Sequence, residues 1–304
     1  MKKGIIFAII TAVISGFSIF YNKLIIVKGI DPLIFNIIKN GGVALILSCF
    51  LLTITERKKI FTLKPSQWKK LLAIGFIGGF LPFVLYFEGL KSVAPTNANL
   101  IHKTLFIWVA MMAVPILKEK LSILQTAGYL IVAWSNLFIG GLTDFSGNSG
   151  EIMILAATIL WSVENIIAKI ALKDIESGIV TWGRMFIGSI FMILLAITQN
   201  KLILITRLNP SQVLPIGGSV LLLTGYVYFW FKALKFAPAT FVTSVLILAT
   251  PITNILSAIF ITHNLPKMQL INIVTTFIGL LFITLLTPIV RNLKSQMLDL
   301  KSKS

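Results

Sequence analysis

Ten apolar runs, most of them about 20 residues long, follow one another along this chain with only short polar breaks between them. About 20 apolar residues is the length at which an α-helix crosses the hydrocarbon core of a bilayer. Lipid leaves a spanning chain few alternatives, because every backbone N–H and C=O must be satisfied internally. The runs are too long for the strands of a membrane barrel and lack their strict alternation. The spans are expected near 4–27, 33–54, 70–90, 97–117, 122–142, 151–172, 178–198, 213–234, 238–261 and 268–290, which makes an all-α integral membrane fold of ten transmembrane helices. Composition agrees, since 57% of the 304 residues are hydrophobic and 12% charged, against ~45–50% and ~25% in soluble domains. The opening Met1-Lys2-Lys3 resembles a signal peptide, but no small-residue cleavage site follows, so the first run reads as a retained span. Pro82, Pro115 and Pro251 fall inside spans and are expected to kink or open the third, fourth and ninth helices.

A net charge of +17 on a chain with no basic domain does not describe a nucleic-acid binder, and no nucleic-acid partner is expected. The basic residues sit in the loops, and they sort by side. With the N-terminus in the cytoplasm, sixteen Lys and Arg lie on that side, among them Arg57, Lys58, Lys59, Lys64, Lys69 and Lys70. Only five, Lys28, Lys91, Lys201, Arg207 and Lys267, lie on the other. This asymmetry puts both termini in the cytoplasm. The lone Cys49, inside an apolar run, rules out a disulfide framework and reads as a packed helix residue. There is no Walker loop, no His-Glu-x-x-His and no Cys/His cluster, so neither ATP drive, nor a metal site, nor a cofactor is expected. No Ser/His/Asp set shares a depth that would make a membrane hydrolase, and the chain does not read as an enzyme.

The chain also repeats itself. Leu63–Gln67 (LKPSQ) matches Leu208–Gln212 (LNPSQ) at an offset of 145 residues, Leu90-Lys91 matches Leu234-Lys235 at 144, Leu121 and Gln125 match Leu265 and Gln269 at 144, and Lys23 matches Lys169 at 146. A turn-rich stretch from Gly140 to Gly150 separates the copies. The expected units are a first five-helix repeat (1–142), a linker (143–150), a second five-helix repeat (151–290) and a cytoplasmic tail (291–304). Five is odd, so the second copy enters the membrane from the opposite side. Inverted-topology repeats place their substrate site near the midplane between the halves.

With two five-span halves, Ile159-Leu160-Trp161 in the first helix of the second half, and the turn Lys118-Glu119-Lys120-Leu121-Ser122 followed by Gln125 and Gly128, the whole chain resembles the EamA-type transporters of the drug/metabolite transporter superfamily. It departs from that pattern at Thr262–Pro266, which has no Glu, and at Ser15-Gly16, where a Trp-Gly pair is common. The resemblance implies a multi-pass transporter of a prokaryotic cell (inner) membrane, with export as the direction.

The polar residues inside the spans mark the candidate site. Glu164 stands near the middle of an apolar run, where a carboxylate costs roughly 2.5–3.5 kcal/mol on insertion scales. Trp161, Glu164 and Ala168 share one helical face. The repeat maps them onto Ser15, Ser18 and Asn22, which form a stripe with Thr11 expected to face Glu164 across the pseudo-axis. Ser and Thr in membrane helices also simply bond backbone carbonyls or let helices approach. Lys39, beside Asn36 and Asn40, and Arg184, beside Thr181, put one cation in each half. His102 and Lys103, with Asn97 and Asn99, lie in the fourth span, and Thr240, Thr243, Ser244, Thr250 and Asn254 form a band in the ninth. Glu88 corresponds to Lys232, and Lys23 and Lys169 read as snorkelling helix ends. The glycines of the third and eighth spans suit close, sliding contacts.

Intramembrane cations outnumber anions, which favours an anionic or zwitterionic solute. Lys39 and Arg184 are then the candidates for a carboxylate or phosphate, and Glu164 and His102 for proton or amine handling. Glu164 has a second reading as the structural ion-pair partner of Arg184 or Lys39. The expected function is secondary active transport of a small polar metabolite, an amino acid or related compound, by alternating access, in a monomer or homodimer within the lipid bilayer. The rivals are a channel-like conductor and a carrier or enzyme acting on a phosphorylated lipid. The fifth and tenth helices, without intramembrane charge, are expected at the periphery.

Overall fold

The motif that revealed the repeat is a helix start. In the computed structural model, which describes residues 2–26, 29–53, 57–93, 95–136 and 146–286, LKPSQ and LNPSQ each open a helix with Pro at its first position. Proline suits that position because its missing N–H would have had no partner there. The Lys64 N–H donates to the Gln67 side chain at 2.8 Å, and the Asn209 N–H donates to Gln212 at 3.2 Å. Ser122 and Gln125 make a full reciprocal capping box before the fifth span.

The helices run in the expected order. They are α1 (Lys2–Ile26), α2 (Pro32–Thr53), the short α3 (Arg57–Phe61), α4 (Pro65–Ile74) continuing through a π-helical segment (Gly75–Phe80) into α5 (Leu81–Gly89), α6 (Pro95–Lys103), α7 (Leu105–Leu117) and α8 (Ile123–Trp134). The second half has α9 (Ser149–Ala171), α10 (Ser177–Thr198), a 3₁₀ turn (Leu202–Arg207), α11 (Pro210–Phe236), α12 (Ala239–Val245), a 3₁₀ turn (Leu246–Leu248), α13 (Ala249–Ser257) and α14 (Lys267–Leu281). Among the described residues there is no strand. Nine spans among the described residues are long and apolar enough to cross a membrane, and the shorter apolar helix Ile123–Trp134 takes the fifth place. The side chains of Lys23 and Asn99, most of the linker and the tail with Arg291, Lys294, Lys301 and Lys303 lie outside the described residues.

Helices from the two halves alternate, and the packing survives exchange of the halves. α1 lies on α11, and its repeat equivalent α9 lies on α5; α2 lies against its own equivalent α10; α1 also meets α13, as α9 meets α7. The residue-level match is closest where α8 crosses α14. Gly128 and Gly279 meet backbone to backbone, so a Cβ on Gly128 would come within 2.7 Å of the Gly279 carbonyl oxygen. Ser135 meets Asn272, whose Nδ2 donates to the Ser135 carbonyl at 2.8 Å. An offset of 144 turns the first contact into the second. This is the relation a pseudo-two-fold axis imposes on two five-helix repeats. α8 and α14 pack chiefly on each other, away from the charged helices.

The three prolines behave differently. Pro82 follows the π-helical segment directly, and Pro251 follows the Leu246–Leu248 turn. Pro115 sits within an unbroken α7, contrary to the expected opening. The fourth span breaks instead at Thr104, where the Thr104 N–H and hydroxyl both return to the Ile101 carbonyl. That tightens one turn and separates α6 from α7. The ninth span breaks at the equivalent point, over Leu246–Leu248.

Candidate functional site

α2 starts under an Asp31 cap, whose carboxylate accepts from the N–H groups of Leu33 (2.9 Å) and Ile34 (3.3 Å). Helical spacing then puts Phe35 and Lys39 on one face. The Lys39 ammonium lies 4.7 Å from the Phe35 ring centroid and 5.5 Å from those of Phe83 and Phe87. It is a buried cation, 5% exposed, with three aromatic faces for company and no carboxylate in ion-pair range among the described residues. Each ring offers a desolvated ammonium on the order of 2 kcal/mol, which offsets part of what burying an ammonium without an anion costs.

Arg184 comes to the same place from the other half. Its guanidinium carbon is 5.7 Å from the Phe83 centroid. Lys39 and Arg184 are repeat-equivalent, 145 residues apart. Two equivalent residues can share one ring only near the pseudo-two-fold axis, where α2 packs on α10. The arrangement therefore sits between the halves.

Glu164 on α9 pairs with Arg184, Nε to Oε1 at 3.4 Å, with the side chains 2% and 8% exposed respectively. The contact is an ion pair by distance, but it lacks hydrogen-bond geometry, since Glu164 Oε1 and Arg184 Nε both remain without a hydrogen-bond partner. Asn36 Oδ1, Asn40 Oδ1 and His102 Nδ1 are buried and unpartnered as well. Buried polar atoms are normally satisfied; five of the six unsatisfied ones among the described residues lie on these helices, and the sixth, Asn136 Oδ1, lies just past α8.

The third span shapes itself to this pair. Gly78 packs on Glu164 so closely that a Cβ would overlap Glu164 Cγ and Cδ, and a Cβ on Gly79 would strike the Arg184 carbonyl oxygen. Pro82 has no N–H to offer the carbonyl four residues back, which belongs to Gly78. Trp161 Nε1 donates to that freed oxygen at 3.1 Å. Trp161 and Glu164, one turn apart, thus both press on the same glycine.

Trp161 anchors a wall of rings. It meets Phe83 edge-on at 5.3 Å, Tyr86 at 5.6 Å and His102 at 4.8 Å. His102 joins the cluster at the end of α6, just before the break at Thr104, and Lys103 next to it is half-buried. A narrow crevice runs between α2, α5 and α10 from the face where α2 begins. Asp31, Glu88, Lys91 and Lys201 rim it, and Asn36, Phe83 and Phe87 line it deeper in.

Other expected residues lie elsewhere. Ser15, Ser18 and Asn22 belong to α1, which packs on α11 and α13 rather than beside Glu164. Asn22 donates to Ser18 and accepts from the Ser219 hydroxyl at 2.6 Å. Thr243 bonds the carbonyls of Ala239 and Thr240 in its own helix, and Asn254 is half-buried on α13. Glu88 pairs with Lys91 (2.7 Å) on the rim. Lys169 is not a snorkelling end, because its ammonium donates to the carbonyls of Leu234 and Ala237 at the end of α11. Carbonyls without partners at a helix C-terminus suit a cation. No group of three or more His, Cys, Asp or Glu that could hold a metal is found among the described residues.

Sequence reasoning passed over Phe83, Phe35 and Phe87, because phenylalanine is common in spans and carries no signal of its own. It also quoted Glu119 only as part of a turn. The Glu119 carboxylate accepts from the N–H groups of Ala239 and Thr240 and from the Thr240 hydroxyl, and so caps α12 across the boundary between halves.

The model of the EamA-like transporter family matches residues 2–141 and 148–285, one match for each five-helix half. The chain is 24% identical over 242 residues to the uncharacterized transporter YyaM of Bacillus subtilis (strain 168), covering 73% of this chain and 77% of that one. It is 25% identical over 211 residues to an uncharacterized transporter of Archaeoglobus fulgidus, covering 67% and 72%. A solved structure titled only as a crystal structure of a protein shares the fold, with a TM-score of 0.72 at 14% identity over 93% of this chain and 98% of that one. With a family match in both halves and ten helices exchanged about one pseudo-axis, the chain belongs to the EamA-like transporter family of the drug/metabolite transporter superfamily.

Proposed function

We propose that this protein is a secondary transporter exporting a small carboxylate-bearing solute, an amino acid or close relative, by alternating access across a prokaryotic cell membrane. The observation that carries the reading is the meeting of Lys39 and Arg184 on the Phe83 ring, with Glu164 paired to Arg184 alone. A carboxylate entering there gives Lys39 the anion it lacks and relieves Arg184 of a poorly aligned bond, and charge-assisted contacts of this kind are the strong ones. Asn36 Oδ1 and Asn40 Oδ1, both unpartnered, suit the ammonium of a zwitterion. Glu164 and His102 Nδ1 are the groups placed to take up a coupling proton. The loop charges support cytoplasmic termini, which puts the crevice on the outer face. The two halves, 1–142 and 151–290 joined by 143–150, act as the rocking units. One chain holds the whole site, so a monomer suffices and a homodimer is compatible. The family and its relatives are named for transport, and the reading is transport rather than catalysis.

The test is thermal stabilisation of the purified protein across paired solutes, each amino acid beside its methyl ester and its decarboxylated amine. The acids should raise Tm in a saturable way and the esters and amines should not. Stabilisation by amines alone would overturn the proposal.

A further inference from the structure

We infer that Phe83 is an inner gate: its ring separates the crevice from Lys39, Arg184 and Glu164, and the solute meets those charges only when α5 carries the ring aside. This assignment rests on the transport reading above. Phe83 lines the crevice, whereas Lys39, Arg184, Glu164 and Trp161 do not. Yet Lys39 (5.5 Å), Arg184 (5.7 Å) and Trp161 (5.3 Å) all approach the same ring. Phe87 also lines the crevice and shares Lys39 at 5.5 Å, but Phe83 is the lining side chain whose ring meets all three.

The chemistry makes this wall exchangeable. A ring face is a weak acceptor for a cation, and a carboxylate is a stronger one. The ring holds the place of the solute's anion, so a solute that supplies a carboxylate replaces the cation–ring attraction that opening gives up. A neutral solute supplies nothing in exchange, and the gate stays shut against it.

The backbone allows the movement. Phe83 is the third residue of α5, directly after the π-helical segment and Pro82. Both features remove regular i→i−4 bonds. At the junction Phe80 leaves helical geometry, with φ −122° and ψ −74°. In the other half the equivalent position is Val227, buried within the unbroken α11. The gate thus belongs to one half and one face.

The test replaces Cys49 by Ser and places a reporter cysteine at one of two depths. Leu33→Cys lies half-buried in the crevice, and Asn40→Cys lies two turns deeper at a position 1% exposed. A negatively charged, membrane-impermeant methanethiosulfonate is the probe. L33C should label quickly whatever stands at position 83. N40C should label slowly with Phe83 or with F83W, and about tenfold faster or more with F83A or F83L, the factor that roughly 1.4 kcal/mol of exclusion gives. N40C labelling at one rate with Phe83, F83L and F83A overturns the gate. The readout needs no transport, so a shielded N40C in a protein that moves no carboxylate would sink the transport reading and leave the gate standing. Size-exclusion elution identifies variants that fold, and F83L against F83W decides if F83A does not.

Discussion

At the scale of single residues, Glu164 and Arg184 are held together by what surrounds them. Removing one partner of a buried pair leaves the other uncompensated, a cost of about 3–5 kcal/mol. E164Q and R184Q should each lower Tm, and E164Q/R184Q should recover most of the loss, because neither charge is then left alone. Neither single variant nor the double should transport. Thermal unfolding in detergent, beside flux in proteoliposomes, reads both effects. Full activity in E164Q would remove the carboxylate from the mechanism. Gly78→Ala is the complementary probe: its methyl group would occupy the space of Glu164 Cγ and Cδ. Overpacking at such a site costs about 1–3 kcal/mol, and the same comparison of Tm and flux should show a loss in both. The pairing of Glu164 with Arg184 was one of the readings open in the sequence, beside amine or proton handling and a position without a role, since a lone mid-span carboxylate beside a helix with an arginine allows each. Phe83 was not legible, because its role depends on three neighbours from three different helices.

At the scale of elements, the third span shows how a proline and a tryptophan 79 residues apart in sequence become one device. Pro82 leaves the Gly78 carbonyl without its helical donor, and Trp161 supplies one from α9. Trp161→Phe keeps the ring contacts and removes the N–H. A buried polar group left unsatisfied costs about 1–3 kcal/mol, so this variant should unfold at lower temperature than wild type, while Phe substitution at the exposed Trp68 should not. Equal Tm values for the two would refute the bond's importance. The sequence showed that Pro82 and Pro251 interrupt their helices, because a missing N–H always frees a carbonyl. At Pro115, where a kink or an opening was expected, the helix is not opened, and the proline falls in the last turn of a continuous α7. The break in that span came from Thr104, whose hydroxyl turns back on Ile101, and no local signal separates such a threonine from others in spans.

At the scale of the whole molecule, the pseudo-two-fold axis also governs the loops. On the crevice face, Asp31 between α1 and α2 binds Lys201 between α10 and α11 at 3.1 Å. On the opposite face, the equivalent loops meet through Lys59–Glu176 (2.6 Å), beside which Lys70 of α4 binds Asp174 (2.8 Å). Each pair joins the two halves, as a tie across one mouth of an alternating-access protein would. Burial pushes the Asp31 carboxyl up, but Lys201 and the N–H groups of Ile34 and Leu33 outweigh it and hold the carboxyl below its ordinary value. A depressed carboxyl stabilises the fold above its unfolded value, near 3.8, and loses that contribution as pH falls through the folded value. Over pH of about 5–8 the tie should be pH-independent. K201A should loosen the crevice face and change the rate of exchange in proteoliposomes, K201R should keep the wild-type rate, and equal rates in both variants would contradict the tie. The ten spans, the repeat and the two central cations were legible because apolar length, offset matches and buried charge are all local signals. The stripe of Ser15, Ser18 and Asn22 was assigned to the wrong neighbour for the opposite reason. The repeat relates α1 to α9 by symmetry, but symmetry does not make them touch, and α1 packs on α11.

On the proposed function, the two cations at the pseudo-axis bind a solute carboxylate. Counterflow in proteoliposomes tests it most directly, with a labelled amino acid and its decarboxylated amine compared in wild type and in K39M. Saturable exchange of the acid is expected, none of the amine, and loss of the acid exchange in K39M with the folded yield retained. Equal exchange of acid and amine, or undiminished exchange of the acid in K39M, would contradict it.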